Sequence, residues 1–83
     1  MRITAKLYAT LSDYLPAGAR DHAVELEVPE GETVQAVLDR LRLPAALTHL
    51  VLVDGVFVPP EERGRRPLRA GETLAVWPPI AGG

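Results

Sequence analysis

The sequence has no cysteine, one methionine and few aromatic residues, and these shortages restrict its chemistry. Without a thiol the chain cannot form a disulfide, attack a substrate through sulfur or bind zinc through thiolates. No apolar run is long enough to cross a membrane, and the alternation of the first residues is unlike a signal peptide. We therefore expect a cytoplasmic protein with no membrane partner.

Charge also lacks a strong bias, because nine Lys and Arg residues are set against eleven Asp and Glu residues. The formal net charge of −2 argues against a protein that coats nucleic acid, since phosphates must be neutralised by cations. We therefore expect no nucleic-acid partner. The 83 residues, 47% of them hydrophobic, suit one small domain with a single core.

Two segments of the first half, residues 1–8 and 22–28, alternate apolar and polar residues with a period of two. This period is typical of a strand with one buried face. Residues 9–15 between them have helical spacing and are followed by Pro16, which predicts a short helical turn.

One longer helix is predicted after the second strand. Thr33 can cap its first turn with a hydroxyl group, and Pro44 prevents its continuation. Its apolar stripe, which would face a core, is formed by Val34, Val37, Leu38 and Leu41.

The second half contains a hairpin, a loop and a last strand. Asp54 and Gly55 lie between two short apolar runs of Leu50–Val58, a pattern typical of a two-residue hairpin with positive φ at both central residues. Residues 59–67 are polar and rich in breakers, which predicts a loop. Thr73–Trp77 predicts the last strand.

The element order is therefore strand, strand, helix, hairpin and last strand. Because no strand–helix–strand unit repeats, a doubly wound sheet is disfavoured. We predict an α+β fold with a mixed sheet of roughly four to five strands over one main helix, and with the first strand beside the last. This is the β-grasp of ubiquitin-like domains. Residues 1–77 would form the domain and residues 78–83 a flexible C-terminal tail.

The last six residues have an unusual composition for a chain terminus. Paired prolines cannot join a sheet ladder and favour an extended polyproline conformation. Two terminal glycines can thread a narrow tunnel and present the terminal carboxylate there. We predict a functional arm rather than a frayed end. This tail consists of Pro78, Pro79, Ile80, Ala81, Gly82 and Gly83.

With this ending, the whole chain resembles the MoaD/ThiS family of ubiquitin-like sulfur carrier proteins. That family includes the small subunit of molybdopterin synthase and the thiamine sulfur carrier, and the paired prolines are more similar to the molybdopterin branch. The matching features are Tyr8-Ala9, Val34 to Leu41, Val53-Asp54-Gly55, Leu68-x-x-Gly71-Glu72 and Pro78-Pro79-Ile80-Ala81-Gly82-Gly83.

The resemblance implies a sulfur-transfer cycle at Gly83. An E1-like adenylyltransferase would use ATP and Mg to adenylate the Gly83 carboxylate. A sulfur donor such as a cysteine desulfurase or a rhodanese would displace AMP and leave a thiocarboxylate. An acceptor like the large subunit of molybdopterin synthase would receive the sulfur. The chain would bind no cofactor and would act as a protein cosubstrate or as the small subunit of a sulfurtransferase. Whether it counts as an enzyme is therefore left open.

Three other functions remain open. A ubiquitin-like modifier would join Gly83 to target lysines after the same adenylation. A sulfur carrier could instead serve thiamine synthesis or tRNA thiolation. An interaction-only domain would leave the tail inert.

Two aromatic residues are candidates for partner binding. Strand alternation places Trp77 opposite Leu74 and Val76 and beside the tail. There it would either enter a groove of a partner or cover the sheet and the prolines of the tail. Phe57 could extend such an apolar patch, although we expect it in the core.

A basic cluster precedes the last strand and consists of Arg63, Arg65, Arg66 and Arg69. We expect a solvated loop, and the alternative is a docking contact with an acidic partner surface, for which Arg66 and Arg69 are the candidates. His22 and His49 have no carboxylate or thiol at ligand spacing, so no metal site is predicted.

Overall fold

The computed structural model describes residues 1–79, and the predicted tail residues Ile80, Ala81, Gly82 and Gly83 lie outside the described residues. The helix and strands of the described part are β1 (Arg2–Leu7), β2 (Ala23–Glu27), α1 (Val34–Arg40), β3 (Leu50–Val53), β4 (Val56–Phe57) and β5 (Thr73–Trp77). Short 3-10 helices span Ala9–Tyr14, Ala45–Leu47 and Pro60–Glu62. The predicted strands and main helix are confirmed, and the predicted turn after β1 is the first 3-10 helix.

The strands form one mixed sheet in the order β2-β1-β5-β3-β4. β1 and β5 are parallel, and the other neighbouring pairs are antiparallel. The predicted β-grasp, with the first strand beside the last, is confirmed. Side chains from β1, β5 and α1 share one core on one face of the sheet: Ile3, Ala5, Leu7, Leu74, Val76, Val34, Val37 and Leu38.

Local sequence explains how the helix and the hairpin begin. The Thr33 hydroxyl oxygen accepts a hydrogen bond from the Ala36 N–H at 3.1 Å, as predicted for a helix cap. Asp54 and Gly55 have φ angles of 48° and 84°, which are the positive values that this two-residue turn requires. Both predictions are confirmed.

One residue of the basic cluster lies in the interior. Arg63 is only 4% exposed, so the prediction of a solvated loop is wrong for this residue. Its guanidinium donates to the carbonyl oxygens of Val58 at 3.1 Å, Thr48 at 2.8 Å and His49 at 3.4 Å. These carbonyl oxygens accept the hydrogen bonds of the buried guanidinium group. The group forms no ion pair with a carboxylate of residues 1–79. Burial lowers the pKa of Arg63 below its usual value.

Candidate functional site

The tail leaves the sheet at a point where the backbone is held from both sides. β5 ends at Trp77, and Pro78 after it is half-buried. On one side the Tyr8 N–H donates to the Val76 carbonyl oxygen at 3.1 Å, and on the other the His49 N–H donates to the Trp77 carbonyl oxygen at 3.1 Å. We call Tyr8, His49, Trp77 and Pro78 the tail base.

Three rings stack at the tail base, and we call Trp77, Tyr8 and His22 the aromatic stack. The ring centroids of Tyr8 and Trp77 are 4.3 Å apart and their planes differ by 2°. Those of Tyr8 and His22 are 5.9 Å apart, with an interplanar angle of 19°. Because Leu74 and Val76 are fully buried, the predicted outward placement of Trp77 is confirmed.

Sequence reasoning missed Tyr8 and His22, because strand pairing brings Tyr8 against Trp77 and His22 against Tyr8. The parallel register sets Leu7 opposite Val76, which brings the next residue of each strand side by side. His22 directly precedes β2, and its carbonyl oxygen accepts from the Leu7 N–H at 2.9 Å. The pairing of the first and last strands is the signal that could have identified Tyr8.

Apolar side chains continue from Trp77 across the face of the sheet that α1 does not cover. Leu50 lies opposite Trp77, and Leu52 lies opposite both Ala75 and Phe57. The residues between them along β3 and β5 are buried on the core side, so these side chains share the outward face. We call Trp77, Leu50, Ala75, Leu52 and Phe57 the open-face strip.

Phe57 lies at the outer end of the open-face strip. It is 51% exposed and its neighbour Val56 is 68% exposed, so the expectation of a core position for Phe57 is wrong. β4 is an edge strand, and Val58 after it fills the core position instead. Exposed apolar side chains that are continuous with a larger patch mark a surface suited to contact with another molecule.

Arg66 and Arg69 surround one carboxylate. Arg66 Nη2 lies 2.8 Å from Glu72 Oε2, and the Arg69 backbone N–H donates to Glu72 Oε1 at 2.7 Å. The hydrogen bond between the side chains of Arg66 and Glu72 lowers the pKa of the carboxyl and raises the pKa of the guanidinium. The exposed Arg69 side chain forms no ion pair within residues 1–79. A partner contact for either arginine stays a prediction.

Neither histidine takes part in a cluster of metal ligands in the described part of the chain. Within residues 1–79, no three His, Cys, Asp or Glu side chains come close enough together to hold a metal ion. His22 contributes its ring to the aromatic stack, and His49 contributes its backbone N–H to the tail base. The helices of the same residues include none that is long and apolar enough to span a bilayer.

The sheet order and the single main helix define a class, the ubiquitin-like β-grasp proteins. The model of the ThiS family matches residues 7–83, and the chain belongs to this family. The match runs through the tail to Gly83. Membership of the MoaD/ThiS family, predicted from the sequence, is thereby confirmed.

Several solved structures are similar over the full length of both chains. SAMP1 from Haloferax volcanii is 27% identical, with a TM-score of 0.72 and 100% coverage of each chain. The thiamine biosynthesis protein ThiS from Geobacter metallireducens is 16% identical, with a TM-score of 0.67 and 100% coverage of each chain. A chain from the complex of subunits 1 and 2 of the Helicobacter pylori molybdopterin-converting factor is 13% identical, with a TM-score of 0.61 and 100% coverage. The last two likenesses show the fold alone. No curated protein matches the sequence.

Proposed function

We propose that the chain is a sulfur carrier protein that holds its sulfur on the terminal carbonyl carbon of Gly83. The observation that carries this proposal is the family match, which includes both glycines of the tail. The tail base supports it, because hydrogen bonds from Tyr8 and His49 fix the backbone from which the tail starts.

Activation is the first chemical step, because a free carboxylate is a poor acyl donor. In an E1-like adenylyltransferase, the Gly83 carboxylate attacks the α-phosphorus of Mg-ATP, and pyrophosphate leaves. The persulfide of a cysteine desulfurase or rhodanese then attacks the carbonyl carbon of the acyl adenylate, and AMP leaves. A second thiol cleaves the acyl disulfide, which releases the thiocarboxylate and a new disulfide. The chain has no cysteine, so no internal thiol can intercept the acyl adenylate.

This scheme makes the chain a protein cosubstrate rather than a catalyst. The aromatic stack supplies rings and the tail base supplies backbone amides, and these groups position a chain but do not activate a nucleophile. ATP, Mg and the catalytic groups belong to the partners. The open-face strip, which begins at Trp77, gives such a partner an apolar surface beside the tail.

An acceptor like the large subunit of molybdopterin synthase fits the tail best. Two prolines stiffen the tail before the last glycines, so that it can enter a deep site without folding back. The Helicobacter pylori structure shows a related fold in a complex of two subunits of a molybdopterin-converting factor. Thiamine synthesis and tRNA thiolation are the alternative destinations for the same sulfur. All of these reactions belong in the cytoplasm.

A ubiquitin-like modifier is the second candidate function, and one comparison favours it. The full-length similarity at 27% identity is to a protein from Haloferax volcanii that is named as a small archaeal modifier protein. In this case a lysine amine of a target attacks the same acyl adenylate and forms an isopeptide bond. The two functions therefore share activation and differ in the nucleophile.

Intact-mass spectrometry distinguishes the candidates. The chain would be incubated with the E1-like adenylyltransferase of the same organism, Mg-ATP, a cysteine desulfurase, cysteine and a thiol reductant. We expect the mass of the chain to rise by the difference between sulfur and oxygen. A variant lacking Gly83 should fold normally, because the buried core lies between Ile3 and Val76. It should show no gain in mass, because the glycine that would carry the sulfur is missing.

Adenylation without sulfur gain would contradict the carrier proposal. ATP–pyrophosphate exchange measures adenylation independently, so an inactive enzyme preparation can be recognised. Isopeptide-linked adducts through Gly83 in the presence of target proteins, with no thiocarboxylate formed, would assign the chain to the modifiers instead.

A further inference from the structure

The aromatic stack is an ordered structure that the hydrophobic core does not require. Trp77 and Tyr8 lie on the outward face of the sheet, opposite the buried Leu7 and Val76. Their rings are nearly parallel, with 2° between the planes, and His22 extends the stack on the far side of Tyr8. Offset or parallel stacking at this distance restricts the rotation of each ring.

We propose that Tyr8 and His22 are positioning residues that hold Trp77 and thereby set the direction in which Pro78 and Pro79 leave the domain. The inference deepens the proposed function and rests on it, since the direction of the tail matters only if the tail enters a partner. Both residues would act through Trp77.

The sequence after Trp77 transmits this orientation along the chain. A residue that precedes proline is confined to extended backbone angles, which restricts Trp77 itself. Pro78 and Pro79 each have φ fixed near −65° by their rings, and this leaves about one free backbone dihedral per residue. Because the Trp77 carbonyl oxygen already accepts from the His49 N–H at 3.1 Å, locking the Trp77 side chain leaves the first tail residues few directions.

A tight two-residue turn places His22 beside Tyr8. Asp21 and His22 are its central residues, between Arg20 and Ala23, which exchange backbone hydrogen bonds of 2.8 Å in both directions. Their φ angles of 52° and 66° are the positive values that such a turn requires, and Asp and His are among the residues that adopt them most readily. The turn therefore holds His22 next to β1, where its ring lies against that of Tyr8.

A tail with a preset direction loses less conformational entropy when a partner binds it. We expect the stack to raise the affinity of the chain for its partner and not the rate of the chemical step, because the carboxylate of Gly83 lies several residues beyond the stack. Loss of the stack should therefore raise the KM for the chain and leave kcat unchanged.

The expected rise in KM can be tested by ATP–pyrophosphate exchange. The E1-like adenylyltransferase catalyses the exchange, and the concentration of the full chain is varied. Tyr8→Leu removes the ring and keeps an apolar side chain, and we expect its KM to rise about tenfold at constant kcat. His22→Ala should raise KM about threefold, because an exposed outer ring restrains the stack less. Tyr8→Phe keeps a ring that can stack and should restore the wild-type KM. Tyr14→Leu, the same change at a half-buried tyrosine outside the stack, is the matched control.

A second measurement is independent of any partner. Trp77 is the only tryptophan, so the decay of its fluorescence anisotropy reports the motion of this ring directly. We expect fast local motion to appear in Tyr8→Leu and to be absent in Tyr8→Phe and Tyr14→Leu.

Several results would overturn the inference. An unchanged KM for Tyr8→Leu, or a fall in kcat at constant KM, would mean that the stack does not position the tail. If Tyr8→Leu does not fold, the exposed His22→Ala carries the test, and an unchanged KM there has the same meaning. If the wild-type chain is not adenylated, the proposed function fails, and unchanged Trp77 motion in Tyr8→Leu would reject the inference separately.

Discussion

Arg63 shows how a single side chain can join distant backbone segments in a small domain. Its guanidinium bridges the carbonyl oxygens of Thr48 and His49, before β3, and of Val58, after β4. Burial of a cation is costly unless its donors are satisfied, and here backbone oxygens satisfy them. Since the His49 N–H holds the Trp77 carbonyl oxygen, Arg63 also supports the tail base indirectly.

Replacing Arg63 should therefore destabilise the whole domain. Arg63→Ala leaves three carbonyl oxygens without their donor and opens a cavity, which should lower the free energy of unfolding by about 2–4 kcal/mol. Urea denaturation followed by circular dichroism measures this change. Arg65→Ala, at an exposed neighbour, should stay within about 0.5 kcal/mol of wild type. Equal effects of the two substitutions would show that the hydrogen bonds of Arg63 contribute little.

Glu72 gives the stability of the domain a specific dependence on pH. The Arg66 hydrogen bond lowers the pKa of Glu72 below its ordinary value of 4.5, so the folded state favours the carboxylate. The resulting stabilisation is present when the pH is above the pKa of Glu72 in the unfolded chain, and it is lost as the pH falls through the lower pKa of the folded state.

Glu72→Gln should lower the free energy of unfolding by about 1 kcal/mol at neutral pH, and this difference should shrink towards zero in acid. Thermal unfolding from neutral to acidic pH tests this, with the exposed Glu30→Gln as control. A difference that persists below the folded pKa would point to lost packing rather than charge.

At the scale of elements, sequence patterns that extend over a few residues were sufficient to predict where strands and the main helix lie. Alternation located β5 at Thr73–Trp77, and Thr33 marked the start of α1, because strand period and capping are local effects. The burial of Arg63 could not be predicted in this way, since its carbonyl partners lie up to 15 residues away along the chain. Tyr8 was missed for the same reason, because its partner Trp77 lies on the last strand.

The C-terminal end of α1 gives a prediction at this scale. The Arg42 N–H donates to the Asp39 carbonyl oxygen, and the Leu43 N–H donates to that of Leu38 at 3.1 Å, which is the Schellman arrangement. Arg42 occupies the left-handed position of this motif, with φ of 61°, where glycine is usual. Arg42→Gly should therefore raise the free energy of unfolding by about 0.5–1 kcal/mol, net of the greater entropy of the unfolded chain.

Chemical denaturation of Arg42→Gly beside Arg42→Ala separates backbone strain from loss of the arginine side chain. Alanine removes the side chain but keeps the strain, so that variant should not be stabilised. Stabilisation of both variants to the same extent would instead indicate that the Arg42 side chain is unfavourable where it lies.

At the scale of the whole molecule, the tail base and the open-face strip form one continuous surface through Trp77. Alternation predicted the outward position of Trp77, which the burial of Leu74 and Val76 confirms, whereas the role of the tail stays a prediction. The contributions of Leu50 and Leu52 follow instead from their register with β5 and β4, which the sequence alone does not specify. A partner that binds the strip would meet the start of the tail at the same time.

The two exposed residues of β4 provide a matched test of this surface. Phe57 belongs to the open-face strip, whereas its neighbour Val56 points to the other side of the same strand. Phe57→Ser should weaken binding of the chain to the E1-like adenylyltransferase about tenfold, as expected for loss of an aromatic contact. Val56→Ser should change the Kd little, although Val56 is the more exposed of the two, at 68% against 51%. Isothermal titration calorimetry measures both.

Because both positions lie on an edge strand and are exposed, neither substitution should greatly alter the melting temperature, so a change in Kd can be assigned to the interface. If both variants weakened binding to the same extent, the partner would contact the edge of the sheet rather than its open face. Binding unaffected by either variant would confine recognition to the tail and the tail base, and the open-face strip would then have no part in activation.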